Sequence, residues 1–134
     1  MTKMTDTMLI ALAKEAAKNA YVPYSGFTVG AALLTKEGKV FTGCNIENSA
    51  FGPTNCAERT AFFKAISEGE RDFFKIAIVG GKNGVFSDYC TPCGVCRQVM
   101  SEFCGEDFSV ILGKEGEEYK VFTLGELLPH RFEL

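Results

Sequence analysis

The sequence predicts an α/β fold, a three-layer α/β/α sandwich in which helices cover both faces of a mixed five-stranded sheet. Two observations support this expectation. The chain has 134 residues, of which 46% are hydrophobic, enough for a single domain over residues 1–134 with one core. The spacing of apolar residues also changes along the chain between helical and extended, in the order α, ββ, α, β, α, β, β, α.

The first elements are an amphipathic helix and a hairpin. Residues 5–20 are predicted to be helical because apolar side chains recur there at helical spacing, at Met8, Leu9, Leu12, Ala16 and Ala20. Two apolar runs, over residues 28–35 and 40–46, flank the polar segment 36–39. A turn in that segment would pair the two runs as a β-hairpin.

Helices and strands alternate through the rest of the chain. The predicted elements are a helix over residues 55–68, a buried strand over 74–79, a helix over 93–104, a strand over 108–112, an edge strand over 119–122 and a short helix over 124–128. Gly69 and Pro129 are expected to end the first and last of these helices, and Gly80 is expected to end the buried strand.

Charge and hydropathy exclude several classes of partner. The formal net charge is −3 and the 14 lysines and arginines are scattered, so no basic stripe could follow a phosphate backbone. No apolar run has the length of a signal peptide core or of a membrane span. We therefore expect no nucleic-acid partner, no membrane association and a cytoplasmic location.

Cysteines form the most informative pattern. One cluster reads Cys56-Ala57-Glu58, and a second reads Pro92-Cys93-Gly94-Val95-Cys96. CxxC spacing after a proline, in a chain with enough apolar residues for a core, favours metal binding over disulfides. Both clusters open predicted helices, so the three thiols can converge beside two helix N-termini, which favour thiolates. Three thiols with a nearby carboxylate suit a zinc ion that activates water.

Charged residues next to these clusters indicate how the negative charge of a metal centre would be offset. Three thiolates leave a Zn²⁺ site with a net charge of about −1, which Arg59 and Arg97 are placed to offset. Glu58 points round the helix from Cys56, so a role beside the metal is favoured over one as its fourth ligand. Cys90 is the competing fourth ligand, and its binding would make a closed, structural site.

The sequence motifs described here, together with two upstream ones, resemble those of a known family. CAERTA (56–61), PCGVCRQ (92–98), FTVGAALL (27–34) and GCNIEN (43–48) are similar to those of the short, homotetrameric, zinc-dependent cytidine deaminases. The resemblance runs from about residue 23 to the end of the chain. It implies one Zn²⁺ per chain and hydrolysis of cytidine and 2′-deoxycytidine to uridine and 2′-deoxyuridine with release of ammonia, in pyrimidine salvage.

The resemblance also implies roles at the metal and the base. Cys56, Cys93 and Cys96 match the zinc ligands, with the fourth position left for water. Glu58 matches the residue that carries a proton from this water to ring N3 and then to the departing amine. The backbone N–H of Ala57 matches a donor to the pyrimidine O2, and the carbonyl of Thr91 matches an acceptor for the leaving amine.

Further matches concern the nucleoside and the assembly. Asn45 and Glu47, two residues apart on an extended segment, match the pair that holds the ribose 3′-hydroxyl. Phe27 matches the aromatic residue against the base. Phe132 matches a phenylalanine that reaches into a neighbouring subunit's site, which implies a homotetramer with shared active sites. Phe51 stands where many relatives have tyrosine, so a hydroxyl contact from that position is absent here.

Three interpretations remain open from the sequence. The first is a deaminase of free nucleosides, favoured by the sugar-type pair and the acidic balance. The second is a deaminase of bases within RNA or DNA, or of a nucleoside-like antibiotic, that uses the same zinc core. A polynucleotide enzyme should show clustered basic and aromatic residues, which this sequence lacks. The third is a zinc-stabilised domain without activity, which four sulfur ligands at the metal would indicate.

Overall fold

The computed structural model describes residues 3–134, and the elements in it follow the predicted order. They are α1 (Asp6–Ala17), β1 (Phe27–Thr35), β2 (Val40–Cys44), α2 (Ala57–Ser67), β3 (Phe73–Lys82), α3 (Gly94–Phe103), β4 (Ser109–Gly113), β5 (Tyr119–Thr123) and α4 (Leu124–Leu127). Among these described residues, no helix is long and apolar enough to cross a bilayer.

The strands form one mixed five-stranded sheet, as predicted. Their order is β2-β1-β3-β4-β5. The pair β3 and β4 is parallel, and the other three neighbouring pairs are antiparallel. A parallel pair needs a crossover connection, and the chain between β3 and β4 supplies it with α3.

Helices cover both faces of the sheet, so the three-layer α/β/α prediction is confirmed. Alternate residues of β1 belong to different cores: Ala31 and Leu33 pack with residues of α2 and α3, whereas Ala32 and Leu34 pack with residues of α1. This is the period of two that a strand buried on both faces requires. The α2 side also contains Phe62, whose ring contacts three other aromatic rings.

The prediction that Gly80 ends the third strand is wrong. β3 continues to Lys82, with Gly80 paired to Val29 and Gly81 paired to Thr28. Gly80 is used here for close approach: an added Cβ would lie 2.7 Å from Sγ of Cys90 and 3.1 Å from Cε2 of Phe27. The missing side chain therefore lets both residues close over the end of β3.

A second glycine sets the position of α2. A Cβ at Gly43 in β2 would lie 2.4 Å from the backbone oxygen of Ala57 and 2.6 Å from the backbone nitrogen of Ala61. The first turns of α2 therefore rest directly on the β2 backbone, which no larger residue would permit. This contact fixes the start of α2, where Cys56 and Glu58 are found.

Candidate metal centre and active site

Three cysteines from two helix starts meet at one point. Cys56 is the N-cap of α2, Cys93 is the N-cap of α3, and Cys96 lies in the first turn of α3. Their three Sγ atoms lie within 4.8 Å of one another, and those of Cys56 and Cys93 are 3.7 Å apart. Zinc–sulfur bonds of about 2.3 Å at tetrahedral angles place sulfurs about 3.8 Å apart. The donor set therefore fits a zinc ion.

All three are free thiols, and their environment favours ionisation at one of them. A hydrogen bond with Cys96, helped by bonds from Arg59 and Cys93, lowers the pKa of Cys56 to about 5, against the opposing effect of burial. The same interaction raises the pKa of Cys96, since a proton shared by the pair stays on that sulfur. A metal ion would displace this proton on binding.

The two arginines predicted to offset the thiolate charge differ in what they contact. Arg59 Nη2 donates to Cys56 Sγ over 3.2 Å, as expected. Arg97 instead donates from Nε to the Pro92 carbonyl at 2.8 Å and from Nη1 to the Leu127 carbonyl at 2.7 Å. The prediction that Arg97 serves the sulfurs is therefore not met, and this residue ties the segment before Cys93 to α4.

Glu58 is a buried carboxyl group in the first turn of α2. The residue is 3% exposed, and this burial raises its pKa to about 7, with a smaller contribution from the charge of Cys56. Its carboxylate oxygens are not among the clustered metal-donor atoms. A carboxyl with such a pKa beside a three-thiol centre can accept and return a proton near neutral pH.

Cys90 does not join the three sulfurs that cluster among the described residues. Its side chain packs over Gly80 beside the ring of Phe27. Burial raises the pKa of this thiol to about 11, with smaller contributions from the charges of Glu58 and of the clustered cysteines. Cys90 is therefore a neutral thiol that packs beside the three-cysteine cluster. The structure shows a cluster of three sulfurs, not the closed four-sulfur arrangement.

Asn45 lies just beyond the end of β2 and is anchored to β1. Its Oδ1 accepts from the backbone N–H of Val29 at 2.9 Å, and its Nδ2 donates to the carbonyl of Phe27 at 2.8 Å. The sequence predicts that Asn45 lies on an extended segment, and the structure adds that its amide fixes the start of β1. Within residues 3–134, the second N–H of this amide has no hydrogen-bond partner.

Glu47 is anchored to the loop before β1. Its Oε1 accepts from the backbone N–H groups of Tyr24 at 3.0 Å and Ser25 at 3.1 Å, and its Oε2 accepts from the hydroxyl of Ser25. The Ser25 hydroxyl is the largest cause of a lowered pKa at Glu47, which keeps this carboxyl ionised. The sequence did not single out Ser25, although a serine before a Gly-containing turn is a typical partner for nearby backbone groups.

The remaining predicted residues lie at the following positions. Ala57 is buried at the start of α2 between Cys56 and Glu58, and Thr91 is exposed just before Pro92. Phe27 is 39% exposed at the start of β1, with its ring over Gly80. Phe132 is 67% exposed, and its carbonyl accepts from Gln98 of α3 at 3.4 Å. The chain at Phe132 thus lies beside α3, and the aromatic ring of Phe132 remains accessible.

Comparisons with known proteins point in one direction. Residues 3–112 match the family model described as the cytidine and deoxycytidylate deaminase zinc-binding region. The cytidine deaminase of Sporosarcina psychrophila is 52% identical over 124 residues, covering 92% of this chain and 88% of that one. That of Halalkalibacterium halodurans is 52% identical over 129 residues, covering 96% and 95%. A crystal structure of cytidine deaminase from Burkholderia pseudomallei superposes with a TM-score of 0.86 at 46% identity, covering 98% of this chain and 100% of that one.

Proposed function

This chain belongs to the cytidine deaminase family, and from that premise we propose that it hydrolyses cytidine and 2′-deoxycytidine to uridine and 2′-deoxyuridine with release of ammonia. The observation that carries the proposal is the meeting of three thiols from α2 and α3 beside the buried carboxyl of Glu58. Zinc-dependent deamination of cytidine needs both parts. Within a cell, this reaction would serve pyrimidine salvage.

In this proposal, each residue at the metal centre has a defined role. Cys56, Cys93 and Cys96 would hold the zinc ion, which would supply an acidified water at this point of the site. Glu58 would take a proton from the attacking water and deliver it to ring N3, then take the proton of the new C4 hydroxyl and deliver it to the amine, which leaves as ammonia when the C4–N bond breaks. In the metal-free protein, burial raises the pKa of this carboxyl to about 7, and a carboxyl group can both take and give a proton.

Two backbone groups complete the contacts to the base. The N–H of Ala57 is one of the first N–H groups of α2, which have no partner within a helix, and it would donate to the pyrimidine O2. The carbonyl of Thr91, before Pro92, would accept from the leaving amine. The exposed ring of Phe27 would pack against the flat face of the base.

The hydrogen-bond count at Asn45 and Glu47 supports a sugar hydroxyl as their ligand. A carboxylate can accept about four hydrogen bonds, and Glu47 already accepts three. Asn45 uses one N–H of its amide, and the second has no partner in the part of the chain that the structure describes. A hydroxyl group that donates to Glu47 and accepts from Asn45 would satisfy both remaining positions. We assign this role to the 3′-hydroxyl, which ribose and deoxyribose share.

We also propose that the active enzyme is a homotetramer in which Phe132 enters a neighbouring subunit's site. Support comes from aromatic side chains left in water, since Phe51 is 75% exposed and Phe132 is 67% exposed. Mixing subunits tests the arrangement. Phe132→Ala and Glu58→Gln enzymes, each impaired alone, should recover activity after joint refolding if a site combines residues of two chains. Activity equal to the sum of the separate enzymes would contradict it.

The proposed reaction is tested with four substrates assayed side by side by ultraviolet absorbance. Cytidine and 2′-deoxycytidine should be deaminated, whereas cytosine, which lacks the sugar, and adenosine, which has the wrong ring, should react poorly. X-ray absorption at the zinc edge should show three sulfur ligands and one lighter ligand. Four sulfurs, or equal turnover of cytosine and cytidine, would refute the assignment.

A further inference from the structure

We propose that Ser25 is a positioning residue that couples recognition of the sugar at Glu47 to the placement of Phe27. The inference rests on the proposed function, since it takes Glu47 as the sugar contact and Phe27 as the base contact. It adds a residue that lies outside the cysteine cluster. It also explains why a short loop before β1 carries so many polar contacts.

Every polar group of Ser25 is engaged. Its hydroxyl donates to Oε2 of Glu47 and accepts from the backbone N–H of Phe27 at 3.0 Å. Its own N–H donates to Oε1 of the same carboxylate at 3.1 Å. Its carbonyl accepts from Nζ of Lys82, at the end of β3, at 2.8 Å. One residue therefore bridges the sugar-binding carboxylate, the base-packing residue and the central sheet.

The backbone around Ser25 supports this bridging geometry. Gly26 has a φ of +68°, a left-handed conformation that lets the chain reverse between Ser25 and Phe27. The carbonyl of Gly26 accepts from the N–H of Asn83 at 2.8 Å, which fixes the reversed segment to the turn after β3. The loop is thus held from both sides, so the Ser25 hydroxyl has a defined direction.

Charge makes the hydroxyl contact stronger than an ordinary surface hydrogen bond. Glu47 is ionised, and hydrogen bonds to a carboxylate are roughly twice as strong as neutral ones. Without the hydroxyl, Oε2 loses its fixed partner and the carboxylate gains rotational freedom. The 3′-hydroxyl of a nucleoside would then meet a less well oriented acceptor. The backbone N–H of Phe27 would lose its partner in the same step.

The consequence at Glu47 is specific to one group of the substrate, the 3′-hydroxyl. A variant without the Ser25 hydroxyl should lose the advantage of a nucleoside that has a 3′-hydroxyl over one that lacks it. General damage to the fold would lower turnover of both nucleosides alike. The ratio of kcat/KM for cytidine to kcat/KM for 3′-deoxycytidine therefore separates positioning from stability, because the fraction of folded enzyme cancels in it.

The experiment compares the wild type with Ser25→Ala, Ser25→Thr and Ser67→Ala in the zinc-loaded enzyme. Ser25→Ala should lower the cytidine to 3′-deoxycytidine ratio by about threefold to tenfold, the range expected for one hydrogen bond, mainly through KM for cytidine. Ser25→Thr keeps a hydroxyl and should restore the ratio. Ser67→Ala removes an exposed hydroxyl that donates to the Lys64 carbonyl at the end of α2, and should leave the ratio unchanged.

Two outcomes would overturn the inference in distinguishable ways. If the wild type prefers cytidine and Ser25→Ala shows the same preference, Ser25 has no positioning role and the sugar site stands. If the wild type turns over both nucleosides equally, the assignment of the 3′-hydroxyl to Glu47 and Asn45 fails, and the inference fails with it. The deamination reaction itself is tested separately by product formation from cytidine.

Discussion

The guanidinium of Arg59 reaches back along the first turn of α2 and donates from Nη2 to Sγ of Cys56 over 3.2 Å. Three thiolates around Zn²⁺ carry an excess of negative charge, which makes a bound water less acidic. A cation fixed on one of the sulfurs offsets that charge. The helix supplies this cation from within its own first turn, three residues after the ligand it serves.

Removing this contact should weaken zinc binding. Arg59→Gln is expected to lower zinc affinity by about tenfold to a hundredfold, the usual effect of losing a partner of a metal ligand. Competition with a chromogenic chelator measures the affinity directly. Arg71→Gln is the matched control, since Arg71 donates to the carbonyls of Ile66 and Glu70 and lies outside the cysteine cluster. Equal affinities for the two variants would refute a role of Arg59 at the sulfur.

A methyl group at Gly80 should disturb the proposed substrate site around Phe27. In Gly80→Ala the new Cβ would lie 2.7 Å from Sγ of Cys90 and 3.1 Å from the Phe27 ring, so both must move. We expect KM for cytidine to rise and the free energy of unfolding to fall by about 1–3 kcal/mol.

Kinetics and thermal melting of the zinc-loaded variant check this expectation. Gly52→Ala is the control, since its Cβ would meet only the Ala50 oxygen, at 4.0 Å. A Gly80→Ala enzyme with unchanged KM and unchanged melting would show that the loop carrying Cys90 is free to shift.

Burial of Glu58 should leave a signature in the pH dependence of stability. Folding raises the pKa of this carboxyl from 4.5 to about 7, so between those pH values the metal-free folded protein keeps a proton that the unfolded chain releases. The contribution of Glu58 to the free energy of unfolding therefore falls as pH rises through this window, by about 3 kcal/mol in total. Metal-free Glu58→Gln should lack this fall.

Urea unfolding of both metal-free proteins from pH 4.5 to pH 8 measures the effect. The thiols titrate in both proteins and interact with Glu58 through charge, so the difference between the two curves reports the ionisation of Glu58 together with this interaction. We expect the free energy of unfolding of Glu58→Gln, taken relative to that of the wild type, to increase steadily as pH rises. Parallel curves would mean that Glu58 ionises in the folded protein as it does in water.

Much of the fold follows from local patterns in the sequence. The hairpin of β1 and β2 is predictable because two apolar runs flank the short polar turn 36–39, and the helices follow from apolar spacing. The end of β3 is not predictable in this way. Two consecutive glycines, Gly80 and Gly81, predict the end of a strand. Their strand partners Val29 and Thr28, however, lie about fifty residues earlier in the chain. Only the assembled sheet shows that these glycines serve close approach.

The candidate site likewise has some features that the sequence predicts and others that it does not. The convergence of Cys56 and Cys93 is predictable because both residues open helices that follow strands. The partners of Arg97 are not, since its contact with Leu127 spans thirty residues and leaves no pattern in the sequence. Ser25 escapes notice for the same reason, because its carboxylate partner Glu47 is twenty-two residues away.

Turnover of cytidine by Glu58→Gln, measured together with zinc content, is the sharpest test of how this site works. The claim is that this buried carboxyl moves the protons while the three cysteines hold the metal. The variant should keep the fold and one zinc ion per chain and lose at least about a hundredfold in kcat, the range that positioned proton transfer supplies. A zinc-loaded Glu58→Gln enzyme that retains more than about a tenth of wild-type turnover would contradict the claim.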